Sequence, residues 1–212
     1  MVRQRSAKPR FTSPNLVVAS RKQQAFGLAV FSEKGVKIMK KLLVVVDYQN
    51  DFVIGSLGSK EAESLDEAIA AKVEAYRQEE ADIIYTMDTH GPAYMDMQEG
   101  KKCPVVHCQN GTDGWKLYGK TAETCKDAMT IGKHTFGSFD LAMMALNNGY
   151  DQIELCGVYM DVGVIANAVL LKTAQPEAEM LIDAHCVAGR NAKLKEEALD
   201  VLESMQFTVM NR

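Results

Sequence analysis

The sequence predicts an α/β protein, a three-layer α/β/α sandwich built on a mostly parallel central sheet. The first observation is that short apolar runs alternate along the chain with longer segments of helical period. Such alternation favours a parallel sheet covered on both faces. The second is the run at 42–46, which is apolar without alternation, as expected of a strand buried on both faces. With 47% hydrophobic residues, the 212-residue chain can bury one sizeable core.

The first half of the chain contains three predicted elements and one long connection. A strand at 42–46 precedes a helix whose start is marked by a capping box at 64–67. A second strand follows at 83–86. Residues 91–127 form a long irregular connection, and such a connection inside a compact domain is usually functional. The helix carries an apolar stripe on one face: Leu65, Ile69, Val73 and Tyr76.

The middle of the chain predicts two further strand–helix units. A short strand at 129–131 leads to a helix that begins at Ser138 and ends near Gly149. The apolar run at 153–156 is predicted to be a buried strand, and the nearly all-apolar segment at 162–171 a buried helix.

Two strands and one helix complete the predicted sheet. The strands lie at 179–182 and 207–209. Between them, a helix carries an apolar stripe with helical spacing: Leu194, Ala198, Val201, Leu202 and Met205.

Charge is distributed unevenly along the chain. Residues 1–38 carry eight Lys or Arg against one acidic residue, whereas residues 39–212 carry 16 basic against 27 acidic residues. An acidic body of this kind argues against nucleic acid as a partner. No apolar run is long enough to span a bilayer, so we expect no membrane partner either.

Residues 1–38 are predicted to be a basic N-terminal extension, and residues 39–212 a single domain. The extension is rich in Ser, Arg and Lys and lacks clean periodicity. Organelle transit peptides and flexible basic arms share this composition. We prefer a third hypothesis, a translated leader ahead of a start at Met39, since Met39 is followed at once by two lysines and the first strand.

The cysteines indicate a reducing compartment. They are odd in number and include no C-x-x-C pair. This favours reduced thiols in a cytoplasmic protein over a disulfide framework or a structural zinc site. The five are Cys103, Cys108, Cys125, Cys156 and Cys186.

Side chains able to do chemistry follow several of the predicted strands. Asp47 ends the first strand, and Lys133 follows the third. Asp88 and His90 follow the second. A turn at 159–163 joins a later strand directly to a helix, whose free N–H groups suit an anion or oxyanion. Because ligands of open α/β sheets bind beyond the carboxyl ends of the strands, we expect these groups to surround one small molecule.

The turn also carries a recognisable pattern. Gly-Val-x-x-x-x-x-Val-x-x-Asn-Ala at 157–168 resembles the nucleophile turn of the isochorismatase-like cysteine hydrolases, a superfamily that includes nicotinamidases. The resemblance extends in order and spacing over residues 40–212. It implies the fold predicted above and a small-molecule substrate, with no organic cofactor. In the amidases of this superfamily, a catalytic cysteine occupies the position of Gly163.

The resemblance implies a catalytic triad of an aspartate, a lysine and a cysteine. The first two match Asp47 and Lys133, and the third matches Gly163. Asp47 would then act as a general base or acid, with its pKa tuned by Lys133 and by burial. Taken alone, an aspartate at a strand end usually caps a backbone N–H, and a lysine there is usually solvated.

Aromatic residues of the family's substrate pocket also have counterparts here. Phe52 matches the aromatic residue of the family's first motif and would form a wall for a flat substrate. Phe136 and Phe139 lie where family members place further aromatics, although we expect each of them in the core.

At the turn, the resemblance implies three features. A cis peptide bond would precede Met160. The backbone N–H groups of Tyr159 and Gly163 would form an oxyanion hole. Met160 itself would contact the substrate.

Asp88, His90 and His107 suit a divalent metal, because one carboxylate and two imidazoles leave positions open for water or substrate. By spacing alone, a turn aspartate and two surface histidines are an equally good interpretation. The resemblance favours the metal, since nicotinamidases bind one through Asp-x-His and a later His-Cys. Their further histidine ligand has no obvious counterpart, so Asp96, Glu99 or water would replace it. Zinc, iron or manganese would fit.

Three hypotheses about function remain open because Gly163 has no nucleophilic atom. The first is a nicotinamidase-type amidase acting on a small ring amide, with Gly163 an introduced substitution or a natural loss. The second is an isochorismatase, in which Asp47 protonates a vinyl ether and no nucleophile is needed. The third is a non-enzymatic protein that binds a small molecule in the inherited pocket. The resemblance also implies a homo-oligomer.

Overall fold

The six strands form one sheet in which every neighbouring pair is parallel. A computed structural model describes residues 39–212, and the predicted extension at 1–38 lies outside the described residues. The predicted α/β fold with a parallel central sheet is confirmed. The strands are β1 (Lys41–Val46), β2 (Asp82–Asp88), β3 (Met129–Lys133), β4 (Gln152–Val158), β5 (Glu179–Ala188) and β6 (Phe207–Met210). Their order across the sheet is β3-β2-β1-β4-β5-β6.

Helices lie on both faces of the sheet. A 3₁₀ turn at Tyr94–Asp96 and a π-helical turn at Met160–Val164 accompany them. The α-helices of the described residues are α1 (Asn50–Val53), α2 (Lys60–Ser64), α3 (Asp66–Gln78), α4 (Gln98–Lys102), α5 (Gly119–Thr124), α6 (Phe139–Asn148), α7 (Ile165–Ala174) and α8 (Ala192–Ser204).

Strand β1 lies at the centre of the sheet and contributes to a core on each face. Leu42, Val44 and Val46 pack with apolar residues of α6, α7 and α8. Leu43 and Val45 face the other way and pack with residues of α2 and α3. Because successive strand residues point to opposite faces, the uninterrupted apolar run supplies both cores at once. The three predicted layers follow directly.

The strand order reverses between β1 and β4. The chain first moves outward from β1 to β2 and β3, then returns to pair β4 with β1. Such a reversal opens a crevice at the carboxyl ends of the two central strands, where ligands of α/β sheets bind. Gly157 allows close pairing there. Its φ is +109°, and a Cβ would lie 2.2 Å from the carbonyl oxygen of Val46, so only glycine fits.

The capping box predicted at 64–67 is wrong. Ser64 is the last residue of α2, and its hydroxyl donates to the carbonyl of Glu61 (2.7 Å). The N-terminal cap is instead Ser59, whose Oγ accepts from the N–H of Ala62 (3.1 Å). Helix α3 follows after one residue, without a side-chain cap of its own. Its predicted stripe is nevertheless buried in the core.

Two other predicted features need correction. The connection at 91–127 is not structureless, because it contains the 3₁₀ turn, α4 and α5. In α8, Val201 is exposed, and Leu199 is buried instead.

The predicted helix between Ser138 and Gly149 is confirmed, with Ser138 Oγ accepting from Leu141 N–H and Gly149 at φ +63°. None of the helices in residues 39–212 is long and apolar enough to cross a membrane.

Candidate active site

Asp47 is fixed at the carboxyl end of β1 by the neighbouring strand. Its φ is +49°, a conformation that non-glycine residues rarely adopt and that clusters at functional sites. Its N–H contacts the Thr86 carbonyl (3.3 Å) and Oγ1 (3.2 Å), and Thr86 Oγ1 donates to Asp47 Oδ1 (2.7 Å). The second carboxylate oxygen is left for other partners.

Lys133 is that partner. Its Nζ lies 2.6 Å from Asp47 Oδ2 and 3.5 Å from Asp88 Oδ1, and all three side chains are buried. The sheet register explains the contact with Asp88, because Asp88 and Lys133 are paired on β2 and β3. Burial would lower the pKa of Lys133, but Asp47 and Asp88 outweigh it and raise the pKa, so the ammonium stays charged.

The carboxyl of Asp47 is in a less polar environment than an ordinary aspartate. Burial raises its pKa, with Asp88 adding to the rise, while the Coulombic attraction and hydrogen bond of Lys133 oppose it. A carboxyl group held next to a cation in this way is a candidate to accept a proton and return it.

Position 163 faces the same carboxylate. Gly163 is buried, and its backbone is outside the left-handed region, so an L side chain is compatible with it. A Cβ there would lie 2.8 Å from Asp47 Oδ2 and 3.4 Å from the Val158 carbonyl oxygen. The structure therefore brings together all three positions of the predicted triad, Asp47, Lys133 and Gly163.

The turn between β4 and α7 differs from the expectation in one respect. Its cis peptide bond joins Val158 to Tyr159, one residue earlier than the predicted bond before Met160. The Tyr159 carbonyl accepts from the N–H groups of Val162 (2.9 Å) and Val164 (3.1 Å), which closes the π-helical turn. The oxyanion hole of Tyr159 and Gly163 stays a prediction.

Asn167 holds this turn against the loop after β3. Its Nδ2 donates to the carbonyls of Gly163 (2.8 Å) and Phe136 (3.3 Å), and its Oδ1 accepts from Ser138 N–H (2.9 Å). The asparagine of the sequence pattern thus has a positioning role, which the sequence did not reveal.

A cavity of about 1120 Å³ opens above these groups. Asp47, Lys133 and Gly163 line it together with Tyr159 and Phe52. The Phe52 ring lies 5.3 Å from the His107 ring and 6.0 Å from the Tyr159 ring, and it forms part of the cavity wall; its contact with a substrate stays a prediction. A cavity of this size accommodates a small ring compound.

Two aromatic predictions and one methionine prediction are wrong in part. Phe136 and Phe139 were expected in the core, but they are 51% and 77% exposed. Phe136 lines the cavity, whereas Phe139 lines a separate apolar groove with residues of α7. Met160 does not line the cavity, because the turn directs its side chain into the core beneath the sheet, next to Val164 and Ala168.

The predicted metal ligands come together beside Lys133. His90 Nε2 lies 2.9 Å from Asp88 Oδ2, and His107 Nε2 lies 3.5 Å from the same oxygen. Glu99 Oε1 completes the group, at 3.7 Å from His90 Nε2 and 3.9 Å from His107 Nε2. One ligand atom from each of the four residues lies within 4.8 Å of the others. Of the two suggested replacements, Glu99 joins the group and the exposed Asp96 does not.

Two observations show that these residues fit a divalent cation. Both ring nitrogens of His90 are buried without a hydrogen-bond partner among residues 39–212, although Asp88 is close, and buried polar atoms are rarely left so. His107 Nδ1 lies 2.7 Å from the Val105 carbonyl oxygen, which places the proton on Nδ1 and leaves the Nε2 lone pair for a metal. Two imidazoles and two carboxylates suit zinc, iron or manganese.

The electrostatics of this group favour ionised carboxylate at Asp88. Burial would raise the pKa of Asp88, but the nearby imidazoles of His107 and His90 and the charge of Lys133 together lower it. Burial and the charge of Asp88 raise the pKa of Glu99. Burial would lower the pKa of His107, but its contact with Asp88 outweighs this and raises it.

The long connection is folded so that it delivers His107 and Glu99. The N–H of His90 donates to the Cys108 carbonyl (2.9 Å), and the Cys108 N–H donates to Asp51 Oδ2 (2.7 Å), so His107 is held between β2 and α1. Glu99 lies on α4. The expectation that this connection is functional agrees with its place at the cavity.

Several residues at the site were missed in the sequence. The Gln49 side chain makes two hydrogen bonds to the backbone of Asp88. Its Oε1 accepts from the Asp88 N–H (2.8 Å), and its Nε2 donates to the Asp88 carbonyl (2.9 Å). Its place two residues after Asp47 was the available signal. Cys103 and Arg190 line the cavity. Neither follows a predicted strand directly, so the search of strand ends did not find them.

Cys108 and Cys156 are unsuited to replace a nucleophile at Gly163. Cys108 and Cys156 are buried, and burial raises the pKa of each thiol, which keeps it protonated. We therefore expect both thiols to be inert. Cys103, which is partly exposed at the cavity, is the thiol to test in experiments.

Solved structures with this fold include several amidases. A nicotinamidase/pyrazinamidase from Bacillus subtilis aligns with a TM-score of 0.74 and 24% identity, covering 82% of this chain and 100% of its own. A pyrazinamidase from Pyrococcus horikoshii in complex with zinc aligns at 0.71 and 24%, covering 82% and 99%. An N-carbamoylsarcosine amidase from Thermoplasma acidophilum aligns at 0.68 and 26%, covering 81% and 96%. These likenesses support the fold.

Family membership follows from the sequence itself. A search of curated proteins found no match. The family model described as the isochorismatase domain, however, matches residues 41–212, which is most of the chain and every element of the sheet. The chain belongs to the isochorismatase family, and its scaffold is that of a hydrolase.

Proposed function

We propose that this protein is a nicotinamidase-type scaffold that takes a small ring amide into its cavity and has lost the covalent route of hydrolysis. The observation that carries the proposal is the meeting of Asp47, Lys133 and position 163 at one end of the sheet, beside a four-residue group suited to a metal. Similar structures named nicotinamidase, pyrazinamidase and N-carbamoylsarcosine amidase support an amide as the substrate class.

The roles follow from the contacts. Asp47, paired with Lys133, would take a proton from a nucleophile at position 163 and return it to the leaving amine. A cysteine there would attack the amide carbonyl, expel the amine to leave a thioester, and be released by water. Gly163 has no atom for the attack, so the present chain would be impaired. Binding and oxyanion stabilisation by the N–H groups of Tyr159 and Gly163 would remain.

The ring of the substrate would lie against the aromatic wall. Phe52 lines the cavity next to His107, one of the predicted metal ligands. Phe136 also lines the cavity. Asp88, His90, Glu99 and His107 would hold the divalent metal. When bound, the metal would supply an open coordination position for a ring nitrogen of the substrate.

The wider setting is also part of the proposal. We expect a cytoplasmic homo-oligomer that acts on a small molecule, without nucleic acid or a membrane as partner. The buried, unpaired thiols agree with a reducing compartment.

A direct test is to supply nicotinamide to the protein and to Gly163→Cys, and to measure released ammonia. Gly163→Ala is the matched control, because it adds the same Cβ near Asp47 without a thiol. In either variant the Cβ would lie 2.8 Å from Asp47 Oδ2, so that carboxylate must shift to make room. We expect ammonia from the cysteine variant at a rate at least about 10³-fold above the other two.

Equal ammonia release by all three proteins would contradict the proposal, because the nucleophile would then lie elsewhere. Cys103→Ser identifies it in that case. Loss of release in this variant assigns the chemistry to the thiol that lines the cavity.

A second candidate is the isochorismatase-type reaction, and the raised pKa of Asp47 favours it. A carboxyl whose pKa is raised by burial can carry the proton that a vinyl ether needs, and no nucleophile is required. Pyruvate released from isochorismate by the glycine protein, and lost in Asp47→Asn, would support this reaction. Tight binding of either compound with no product would leave the third hypothesis, a binding protein.

A further inference from the structure

The carboxyl end of β5 brings another charged side chain to the cavity. Arg190 lies two residues beyond Ala188, the last residue of this strand, and lines the same cavity as Asp47 and Gly163. Its side chain is 58% exposed, so the guanidinium is at the rim and accessible to a ligand. The roles proposed above for the site do not use it.

The guanidinium is held in place from one side. Asp161, whose side chain is 5% exposed, accepts from the Arg190 N–H through Oδ1 (2.9 Å) and from Nε through Oδ2 (2.6 Å). Asp161 belongs to the same turn as Gly163. Among residues 39–212, the terminal nitrogens Nη1 and Nη2 have no hydrogen-bond partner, so their N–H donors remain available.

The charges around the cavity also favour an anionic ligand. Every lining carboxylate already has a cationic or imidazole partner: Asp47 with Lys133, Asp88 with Lys133 and His90, Glu99 with His90 and His107, and Asp161 with Arg190. Lys102, in contrast, lines the cavity without a carboxylate partner in the described part of the chain. The donors left over at the rim are therefore cationic, which favours an anionic ligand.

We propose that Arg190 determines specificity by binding a carboxylate on the substrate, so that the ring amide of the proposed function is an anionic one. The inference rests on that function, since it concerns the same cavity. A planar guanidinium offers parallel N–H donors that match the two oxygens of a carboxylate. The backbone and Nε bonds to Asp161 orient this fork before the ligand arrives, which reduces the entropy lost on binding.

The competing explanation is that Arg190 and Asp161 only fasten the turn. An ion pair with an exposed partner contributes little to stability and would not distinguish between ligands. The two explanations differ in what they predict for ligands with and without a carboxylate.

The test is isothermal titration calorimetry with nicotinamide and with its 5- and 6-carboxylates, which share the ring and the amide. Benzoate serves as a carboxylate without an amide. The proteins are the full chain, Arg190→Gln, Arg190→Lys and the control Arg77→Gln, which removes an exposed arginine that does not line the cavity. Thermal melting of each variant verifies that it is folded.

We expect the full chain and Arg77→Gln to bind one of the carboxylates about 10- to 100-fold more tightly than nicotinamide. Arg190→Gln should lose this preference while its affinity for nicotinamide is unchanged, and Arg190→Lys should retain part of it. If Arg190→Gln weakens all ligands equally, the residue only fastens the turn and the inference is overturned.

The ligand set separates the failure of this inference from that of the proposed function. Binding of nicotinamide with no gain from a carboxylate overturns the inference and leaves the function standing. Binding of benzoate that is lost in Arg190→Gln, with no binding of nicotinamide, supports the carboxylate site and argues against a ring amide. Binding of none of the probes overturns both.

Discussion

Two lysines of this protein, the buried Lys133 and the half-buried Lys72, each lie between two carboxylates but have different surroundings. Lys133 Nζ lies 2.6 Å from Asp47 and 3.5 Å from Asp88. Lys72 Nζ lies 2.6 Å from Glu154 and 2.9 Å from Asp183. Each ammonium is thus held between two carboxylates, and each has a pKa raised by them against the effect of burial.

The surroundings of Lys72 are closed. Glu154 Oε2 accepts from the Tyr76 hydroxyl (2.5 Å). Asp183 Oδ1 accepts from the His185 N–H (3.0 Å) and from Asn211 Nδ2 (3.0 Å). Lys72, Glu154 and Asp183 come from α3, β4 and β5, and none of the residues of this group lines the cavity.

The surroundings of Lys133 open onto the cavity. Its carboxylates line the cavity, and the neighbouring His90 keeps two buried ring nitrogens without hydrogen-bond partners in residues 39–212. The comparison shows that a lysine between two carboxylates is not by itself specific to the candidate site. The position at the carboxyl ends of the strands, at the cavity and beside the four-residue ligand group, distinguishes the candidate site.

The largest expected effect is on catalytic activity. We expect activity to depend on the open cluster, formed by Asp47, Asp88 and Lys133, and not on the closed cluster, formed by Lys72, Glu154 and Asp183. In the Gly163→Cys background, Asp47→Asn should reduce ammonia release from nicotinamide by about 10²–10⁴-fold, because the general base is lost. Asp183→Asn, the same change in the closed cluster, should leave the rate within a few-fold. Steady-state kinetics on both variants measure the difference. Equal losses would mean that the closed cluster also supports the reaction.

The next effect is on the free energy of unfolding, which we expect to depend more on the lysine of the closed cluster than on that of the open cluster. Lys72→Met leaves Glu154 and Asp183 buried without their cation and should lower the free energy of unfolding by about 3–5 kcal/mol. Lys133→Met should cost less, because water in the cavity can solvate Asp47 and Asp88. Urea unfolding compares the two, with Lys120→Met, at an exposed ion pair, as the unchanged reference. The reverse order would show that the cavity does not hydrate its carboxylates.

Adding a divalent metal should raise the melting temperature through the ligand group beside Lys133, formed by Asp88, His90, Glu99 and His107. Zinc at 100 times its dissociation constant should stabilise the protein by about 2.7 kcal/mol, seen as a rise in melting temperature. His90→Ala should abolish the rise, whereas His185→Ala, which alters a histidine outside the ligand group, should retain it. Persistence of the rise in His90→Ala would rule out the proposed ligands.

The smallest effect is on the pH dependence of stability. Burial would raise the pKa of Asp183, but its bonds to Lys72, Asn211 and the His185 N–H lower it below the ordinary value of 3.8. A lowered pKa in the folded state stabilises the protein above about pH 4, and the contribution is lost as the pH falls through that folded-state pKa. Asp183→Asn should therefore lose less stability than the parent between about pH 4 and pH 2, as measured by urea unfolding. Parallel curves would contradict the assignment.

Much of the candidate site could be predicted because it depends on strand ends. Asp47, Lys133 and Gly163 are far apart in the chain, but a parallel sheet brings the carboxyl ends of its strands to one edge. The alternation of strands and helices was enough to place them there. The same reasoning placed Asp88 and His90, and the family resemblance added His107.

Other features depend on local backbone geometry that a single sequence does not encode in a pattern. The direction of Met160 is set by a π-helical turn, and Glu99 reaches the ligand group from a short helix without apolar periodicity. The Lys72 cluster was missed because its three members lie on separate elements and each looks ordinary alone. Phe139 is exposed although its residue type favours the core.

Gly163 has an evolutionary consequence. Its backbone is that of an ordinary L residue, and the nearest obstacle to a Cβ is the tip of one carboxylate. Glycine codons GGT and GGC become cysteine codons through a single base change. Under the proposed function, one base change at such a codon would therefore add or remove the nucleophile without altering the side chains that the other strands bring to the cavity.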